Sequence, residues 1–316
     1  MKNLKSNKIT FCPGPGAVIP EWFDNQREYF GRGDDEYQKI KNKTFNWLKK
    51  KSGQDHVIAV SGAATTAAII SLNSFIEGNV LVINTGYYSN RWFNYLKKTQ
   101  LSKTTDYLSY DDFLKKKIKK KKYRWIIFVY VETASCKKFD IKSVNKICLD
   151  INAKLIVDAT ASIGLETNHE LADVVFFSSC KGLFGPTGLG FICYKKNLKL
   201  NSSSDFLLDY KTHQESKYTL GYNCMAALYS ISKKHSFYKK KLIFARKFLK
   251  NYLIDKNGPL IGSGLRIALK NKKLKNTIFY IPRKFPGYEL IFYLGIIKYN
   301  YLDIKNILLN RIIKNI

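Results

Sequence analysis

Acidic residues are scarce in this chain: 24 Asp and Glu stand against 54 Lys and Arg, a formal charge of +30. Histidine is rarer still, at four, with no HxxxH spacing, so no metal site is expected. None of the six cysteines (Cys12, Cys136, Cys148, Cys180, Cys193, Cys224) forms a CxxC pair. They read as reduced thiols of a cytoplasmic protein rather than a disulfide frame. No apolar run approaches the roughly 18 residues that suggest a membrane span. The N-terminus, MKNLKSNKITFCPGPG, is basic but has no apolar core, so no secretory signal is expected. Nucleic-acid signatures of the RNP, zinc-finger and helix-turn-helix kinds are missing too. The charge therefore reads as compositional, with no specific nucleic acid and no membrane as partner. Its densest stretch, KKKIKKKKYR at 115–124, has eight basic residues in ten. It precedes an apolar run and reads as a solvated helix end feeding a buried strand.

What the chain does have is a globular composition, 45% hydrophobic and 25% charged over 316 residues, enough for two domains. Short apolar runs at 57–61, 80–84, 125–131, 155–159, 174–178 and 190–194 read as strands. Amphipathic stretches at 63–75, 89–98 and 141–151 read as helices between them. Strands apolar on both faces, alternating with helices, predict an α/β fold whose mainly parallel sheet is sandwiched by helices. Residues 221–253 read as helical with a break near His235, and 302–313 as a terminal amphipathic helix. The division predicted is an N-terminal arm at 1–15, a large domain at 16–235 and a shortened α+β small domain at 236–316.

Open parallel sheets bind ligands beyond the carboxyl ends of their strands, so the polar residues there carry the functional reading. After the first strand, Ser61-Gly62-Ala63-Ala64-Thr65-Thr66 opens a helix whose free N–H groups and hydroxyls suit a phosphate. After the second, Asn84-Thr85-Gly86-Tyr87-Tyr88 supplies an aromatic that packs in the core or stacks on a planar ring. After the third, Thr133 in Glu132-Thr133-Ala134-Ser135 either caps a turn or donates to a phenolic oxygen. After the fourth, Asp158 caps a helix or pairs with a protonated ring nitrogen, since a buried carboxylate needs a partner. After the fifth comes Ser178-Ser179-Cys180-Lys181-Gly182. Lys181 lies between an apolar strand and a Gly/Pro-rich loop, where desolvation lowers an amine's pKa and suits Schiff-base chemistry. Each feature alone has a structural reading. As an ordered set they describe a pyridoxal phosphate site, whose marks are a Schiff-base lysine and an acidic pyridinium partner.

From about residue 9 to 223 the sequence resembles the class V aminotransferases of the fold-type I pyridoxal phosphate family. SGAATT is similar to the phosphate loop, which implies Ala63, Ala64 and Thr65 as phosphate ligands. NTGYYSNRW resembles the segment that stacks on the ring, implying Tyr88. VETAS, VDATASIG and SSCKGLFGPTGLGF resemble the segments that place Thr133, Asp158, and Ser178 with Lys181. KYTLGYN is similar to a segment that reaches the neighbouring subunit's phosphate, implying Thr219 and a homodimer. Within the class, GRGDDEYQKI and ETASC are similar to the 2-aminoethylphosphonate–pyruvate aminotransferases. SGAATT with NTGYYS also resembles the phosphoserine enzymes, and alanine– or serine–glyoxylate aminotransferases are a third pattern. The resemblance implies transfer of an amino group from a small amine, a phosphonate-bearing one first in line, to a keto acid such as pyruvate. A fold-type I scaffold that no longer transaminates is a further alternative. Three positions depart from the pattern. Cys180 stands where a polar residue is usual, Tyr130 where His is, and Tyr293 where an arginine clamps the substrate carboxylate. Arg32, Arg91, Arg266 and Arg283 are the candidates to replace that clamp, with Arg32 the substrate-binding residue expected.

Overall fold

The computed structural model describes residues 8–27, 31, 33–215, 219–266, 269, 274–280 and 289–316. In chain order its elements are β1 (Ile9–Phe11), α1 (Asp35–Ser52), β2 (His56–Gly62), α2 (Ala64–Phe75), β3 (Asn79–Asn84), α3 (Tyr87–Thr99), β4 (Thr104–Ser109) and α4 (Tyr110–Leu114). There follow β5 (Trp125–Val129), β6 (Val131–Glu132), β7 (Lys137–Lys138), α5 (Ile141–Asp150), β8 (Lys154–Asp158), β9 (Val174–Ser178) and β10 (Gly188–Tyr194). The chain ends with α6 (Tyr210–Gln214), α7 (Tyr222–Phe248), β11 (Gly262–Gly264), β12 (Thr277–Phe279), β13 (Leu290–Phe292) and α8 (Tyr301–Arg311).

Seven strands form one sheet in the order β2-β10-β9-β8-β5-β3-β4. β9, β8, β5, β3 and β4 run parallel, whereas β10 is antiparallel to both β9 and β2. The six predicted strands are all in it. β4 was not read from sequence: TTDYLS is a polar, half-exposed edge strand with no apolar run to announce it. Every residue of β5 and β9 is buried, as expected of central strands covered on both faces. Two apolar clusters flank the sheet, one including α1, α5 and the start of α7, the other α2 and α3. A third gathers the second half of α7, β11, β13 and α8, together with Ile9, Phe11 and Ile19 from the N-terminal segment.

Local sequence explains the element ends. Asp34 caps α1 by accepting the Tyr37 N–H at 2.7 Å, acidic residues occupy its first turn and lysines its last. Gly53 closes it in the left-handed conformation, φ 69°. The predicted break near His235 is absent, and α7 runs unbroken from Tyr222 to Phe248. No Pro or Gly interrupts that stretch, and His235 is buried with Nε2 at 2.8 Å from the Gly182 carbonyl, so tertiary packing keeps the turn in place. The basic run follows α4 and leads into β5; Lys116, Lys117, Lys119, Lys121 and Arg124 pair with Asp150, Asp112, Asp106 and Glu77. Among the described residues no helix is long and apolar enough to cross a membrane. All six cysteines are free thiols.

Candidate active site

The carboxyl ends of β2, β5, β8 and β9 open into a cavity of about 180 Å³. Ala63, Ala64, Thr65, Tyr88, Thr133, Asp158, Ser178 and Lys181 all line it. Residues from five separate strand ends and the turns and helices that follow them, spread over more than a hundred positions of sequence, thus meet in one space. Thr219 does not line it; it is exposed, and its carbonyl accepts the Ser61 hydroxyl at 3.2 Å. Arg32 lies outside the described residues.

One end of the cavity is made by the start of α2. Gly62 holds φ +123°, and a Cβ there would sit 2.4 Å from the Thr66 hydroxyl oxygen. Only glycine lets β2 turn so abruptly into the helix. The first N–H groups of α2 have no intrahelical acceptor, and Ala63, Ala64 and Thr65 line the cavity there. Arg91 contributes the single guanidinium among the described lining residues. One of its terminal nitrogens lies 3.4 Å from the Thr65 hydroxyl, and its carbon 5.2 Å from the Tyr88 ring centre.

The opposite end is made by Asp158, at the end of β8 and 5% exposed. Its Oδ1 accepts the Thr160 N–H at 3.0 Å and its Oδ2 the indole N–H of Trp92 at 3.0 Å. Burial pushes its pKa up; hydrogen bonds from Thr160 and Trp92 and the nearby Lys181 charge oppose that. Burial pushes the Lys181 amine down, against the attraction of Cys180, Asp158 and Glu132. A depressed amine facing a carboxylate is the arrangement that leaves a lysine able to act as a nucleophile.

Two contributors were not singled out as site residues from sequence. Glu132, fully buried, accepts the Tyr88 N–H and the Ala134 N–H, both at 2.9 Å. It thereby ties the start of α3, which carries Tyr88, to the turn carrying Thr133. Burial raises its pKa to about 7, opposed by those two hydrogen bonds. Trp92 lines the cavity as well. The one sequence signal for it was its place four residues after Tyr88, on the same face of α3. Cys180 lines the cavity, and its thiol donates to the Ser178 hydroxyl at 3.7 Å.

The alternatives for the substrate clamp fare differently. Tyr293 is fully buried in the C-terminal cluster, and its hydroxyl donates to Ser263 Oγ at 2.8 Å. Arg266 donates to the Leu253 carbonyl at 2.7 Å and does not line the cavity. Arg283 lies outside the described residues. Arg91 is the candidate that faces the space.

An anion cup, an aromatic wall, a carboxylate and a low-pKa amine around one cavity fit pyridoxal phosphate group by group. Fold and site together define a fold-type I α/β enzyme of that cofactor. The model of the family described as aminotransferase class-V matches residues 25–223, and the chain belongs to that family. It is a pyridoxal-phosphate-dependent aminotransferase. No curated protein matches the sequence. Several solved structures share its fold. An aspartate aminotransferase of subgroup IV from Thermus thermophilus has a TM-score of 0.80 at 14% identity, covering 98% of this chain and 99% of that one. Ureidoglycine–glyoxylate aminotransferase from Bacillus subtilis has 0.75 at 15%, covering 96% and 93%. A phosphoserine aminotransferase from Cytophaga hutchinsonii has 0.76 at 14%, covering 97% and 99%. At such identities the likeness is one of fold.

Proposed function

We propose that the protein transfers an amino group from a small amine bearing an acid group, with 2-aminoethylphosphonate as leading donor, to a keto acid such as pyruvate. The observation that carries this reading is a cavity in which Lys181, Asp158 and the single guanidinium of Arg91 face the same space. When bound, pyridoxal phosphate supplies an aldehyde carbon for amines and a ring that accepts electrons. Lys181 Nζ would hold the cofactor through that carbon and, when free, would serve as the general base and then the general acid that moves the proton of the donor carbon. Asp158 would hold the proton on the ring nitrogen. Tyr88 would stack on the ring, Thr133 would donate to its phenolic oxygen, and Ala63, Ala64, Thr65 and Ser178 would hold the phosphate. Arg91, which contacts the Thr65 hydroxyl but pairs with no carboxylate among the described residues, would pair with the donor's acid group. The surplus positive charge raises the encounter rate with acidic substrates. The kinetics are ping-pong, since one amine leaves before the keto acid enters.

The same reading makes the enzyme a cytoplasmic homodimer. Its support is Thr219, which is exposed and outside the cavity of its own protomer, as a residue serving a neighbouring subunit would be. The large and small domains divide at 235/236. A monomeric gel-filtration peak at full cofactor occupancy would overturn the dimer.

The test is the near-visible absorption of the loaded enzyme before and after addition of 2-aminoethylphosphonate without acceptor. Bleaching of the yellow band supports the donor. A band that persists with this amine but bleaches with phosphoserine, serine or alanine replaces it with that amine. Arg91→Gln is expected to raise the KM of an acid-bearing donor about tenfold with little change in cofactor affinity. The reverse pattern would move Arg91 to the cofactor phosphate.

A further inference from the structure

Helix α3 carries Tyr88 and Trp92 one turn apart on the cavity side. Trp92 is 2% exposed and packs edge-on against Phe176 of β9, ring centres 5.5 Å apart. Its indole nitrogen donates only, and the acceptor is Asp158 Oδ2 at 3.0 Å. The other oxygen is taken by the Thr160 N–H. The carboxylate is thus gripped from two elements: a backbone group of its own loop, and a side chain delivered by a helix two strands away. The start of that helix is itself tied down, because the Tyr88 N–H is bound by Glu132.

We propose that Trp92 is a positioning residue for amino transfer: wedged between α3 and Phe176, its indole N–H fixes the edge that Asp158 presents to the cavity. The proposal rests on the reading that Asp158 holds the ring nitrogen of the cofactor. Because the indole cannot accept a proton, its hydrogen bond favours the ionised carboxylate and opposes the protonation that burial promotes. The charged groups facing Asp158 are Lys181, from the loop after β9, and Glu132, from β6. Lys181 supports the ionised form and Glu132 disfavours it, which leaves Trp92 and Thr160 as the uncharged groups that stabilise it. The helix that sets the stacking ring therefore also sets the ring-nitrogen partner, so both faces of the cofactor site share one support.

The experiment is a double-mutant cycle on the cofactor-loaded enzyme with Trp92→Phe, Asp158→Asn and both together. Phe keeps an aromatic ring against Phe176 and removes only the donor. Two quantities are measured: the dissociation constant of pyridoxal phosphate, by equilibrium absorbance, and the acid limb of the donor half-reaction against pH. Trp92→Phe is expected to weaken cofactor binding about tenfold and to move the acid limb up by about one pH unit. In the Asp158→Asn background Trp92→Phe should change neither quantity. Wild-type values in Trp92→Phe, or an equal loss in both backgrounds, overturn the proposal. Should Asp158→Asn alone leave cofactor affinity and half-reaction intact, the ring-nitrogen reading fails and this proposal falls with it. A damaged Asp158→Asn beside a silent Trp92→Phe sinks only the role of Trp92. A second measurement needs no Trp92 variant. Of the four indole N–H resonances in the chain, one is expected to move upfield on Asp158→Asn, and four unmoved resonances would overturn the hydrogen bond itself.

Discussion

Glu132 is a carboxyl whose pKa is raised from 4.5 to about 7 by burial, and this makes folding stability fall with rising pH. The folded protein binds this proton more tightly than the unfolded chain does. The stabilisation is therefore complete below about pH 4.5, is lost as pH climbs toward 7, and changes no further above that. With these two values, linkage gives a loss of about 2.5 kcal/mol between pH 5 and pH 8 from this single group. Glu132→Gln keeps the shape and removes the titration. The glutamine oxygen can accept one of the two N–H groups, from Tyr88 or Ala134, but its amide then faces the other. The variant should start about 1–3 kcal/mol below the wild type at pH 5. The difference should then shift by about 2.5 kcal/mol in the variant's favour on going to pH 8, closing or reversing the gap, because only the wild type pays for ionising a buried carboxyl. Urea unfolding of the cofactor-free proteins at half-unit pH steps measures this. Asp158 and Lys181 remain in both proteins, so subtraction leaves Glu132 and its charge coupling to those two groups. Profiles that stay parallel within about 0.5 kcal/mol over that range would refute the reasoning, whatever their absolute heights.

Lys181→Ala should abolish turnover while the protein still binds pyridoxal phosphate non-covalently; borohydride should then fix no cofactor to the chain, and retained turnover would exclude Lys181 as the amine. Gly62→Ala places a methyl 2.4 Å from the Thr66 hydroxyl at φ +123° and should cost about 1–3 kcal/mol of stability, read as a lower melting midpoint, with weaker cofactor binding. Tyr293→Phe loses the buried hydrogen bond to Ser263 and should cost about 1 kcal/mol in urea unfolding while leaving kcat and donor KM unchanged. A raised donor KM would return Tyr293 to the substrate site.

The strands of the sheet were legible because each is a short apolar run bounded by polar or small residues, and central strands need little else. Direction was not. β10 reads as a strand from its composition, yet nothing in GLGFICY says that it runs antiparallel between β9 and β2. That orientation follows from the tight GLFGPT connection out of Lys181, and it brings Gly190 within 2.6 Å, at a notional Cβ, of the Ala63 carbonyl. The break expected at His235 was wrong because the stabilising contact of that residue, with Gly182, is 53 positions away. The same limit explains the site. Residues of the five strand ends announced themselves locally, by small, hydroxyl or charged side chains. Glu132 and Trp92 work through partners 44 and 66 positions away, and no local pattern separates such residues from ordinary core.

Cofactor and substrate recognition are consequently unequal in how the fold supports them. All the cavity-lining residues proposed to hold the cofactor lie between Ala63 and Lys181, on segments anchored to one sheet whose central strands are wholly buried. A rigid frame of this kind sets distances among an amine, a carboxylate and an anion cup more tightly than mobile loops could. The C-terminal cluster presents no charge at Tyr293, where an apolar, hydrogen-bonded core replaces an ionic contact. An arginine introduced there would be a buried cation without a carboxylate, at a cost of several kcal/mol. In the proposed reaction, recognition of an acidic donor falls instead to the wall of the cofactor site, where Arg91 stands beside Thr65 and Tyr88. A guanidinium held by α3 moves with Tyr88 and Trp92, so donor affinity and cofactor geometry should respond together to any change that tilts this helix.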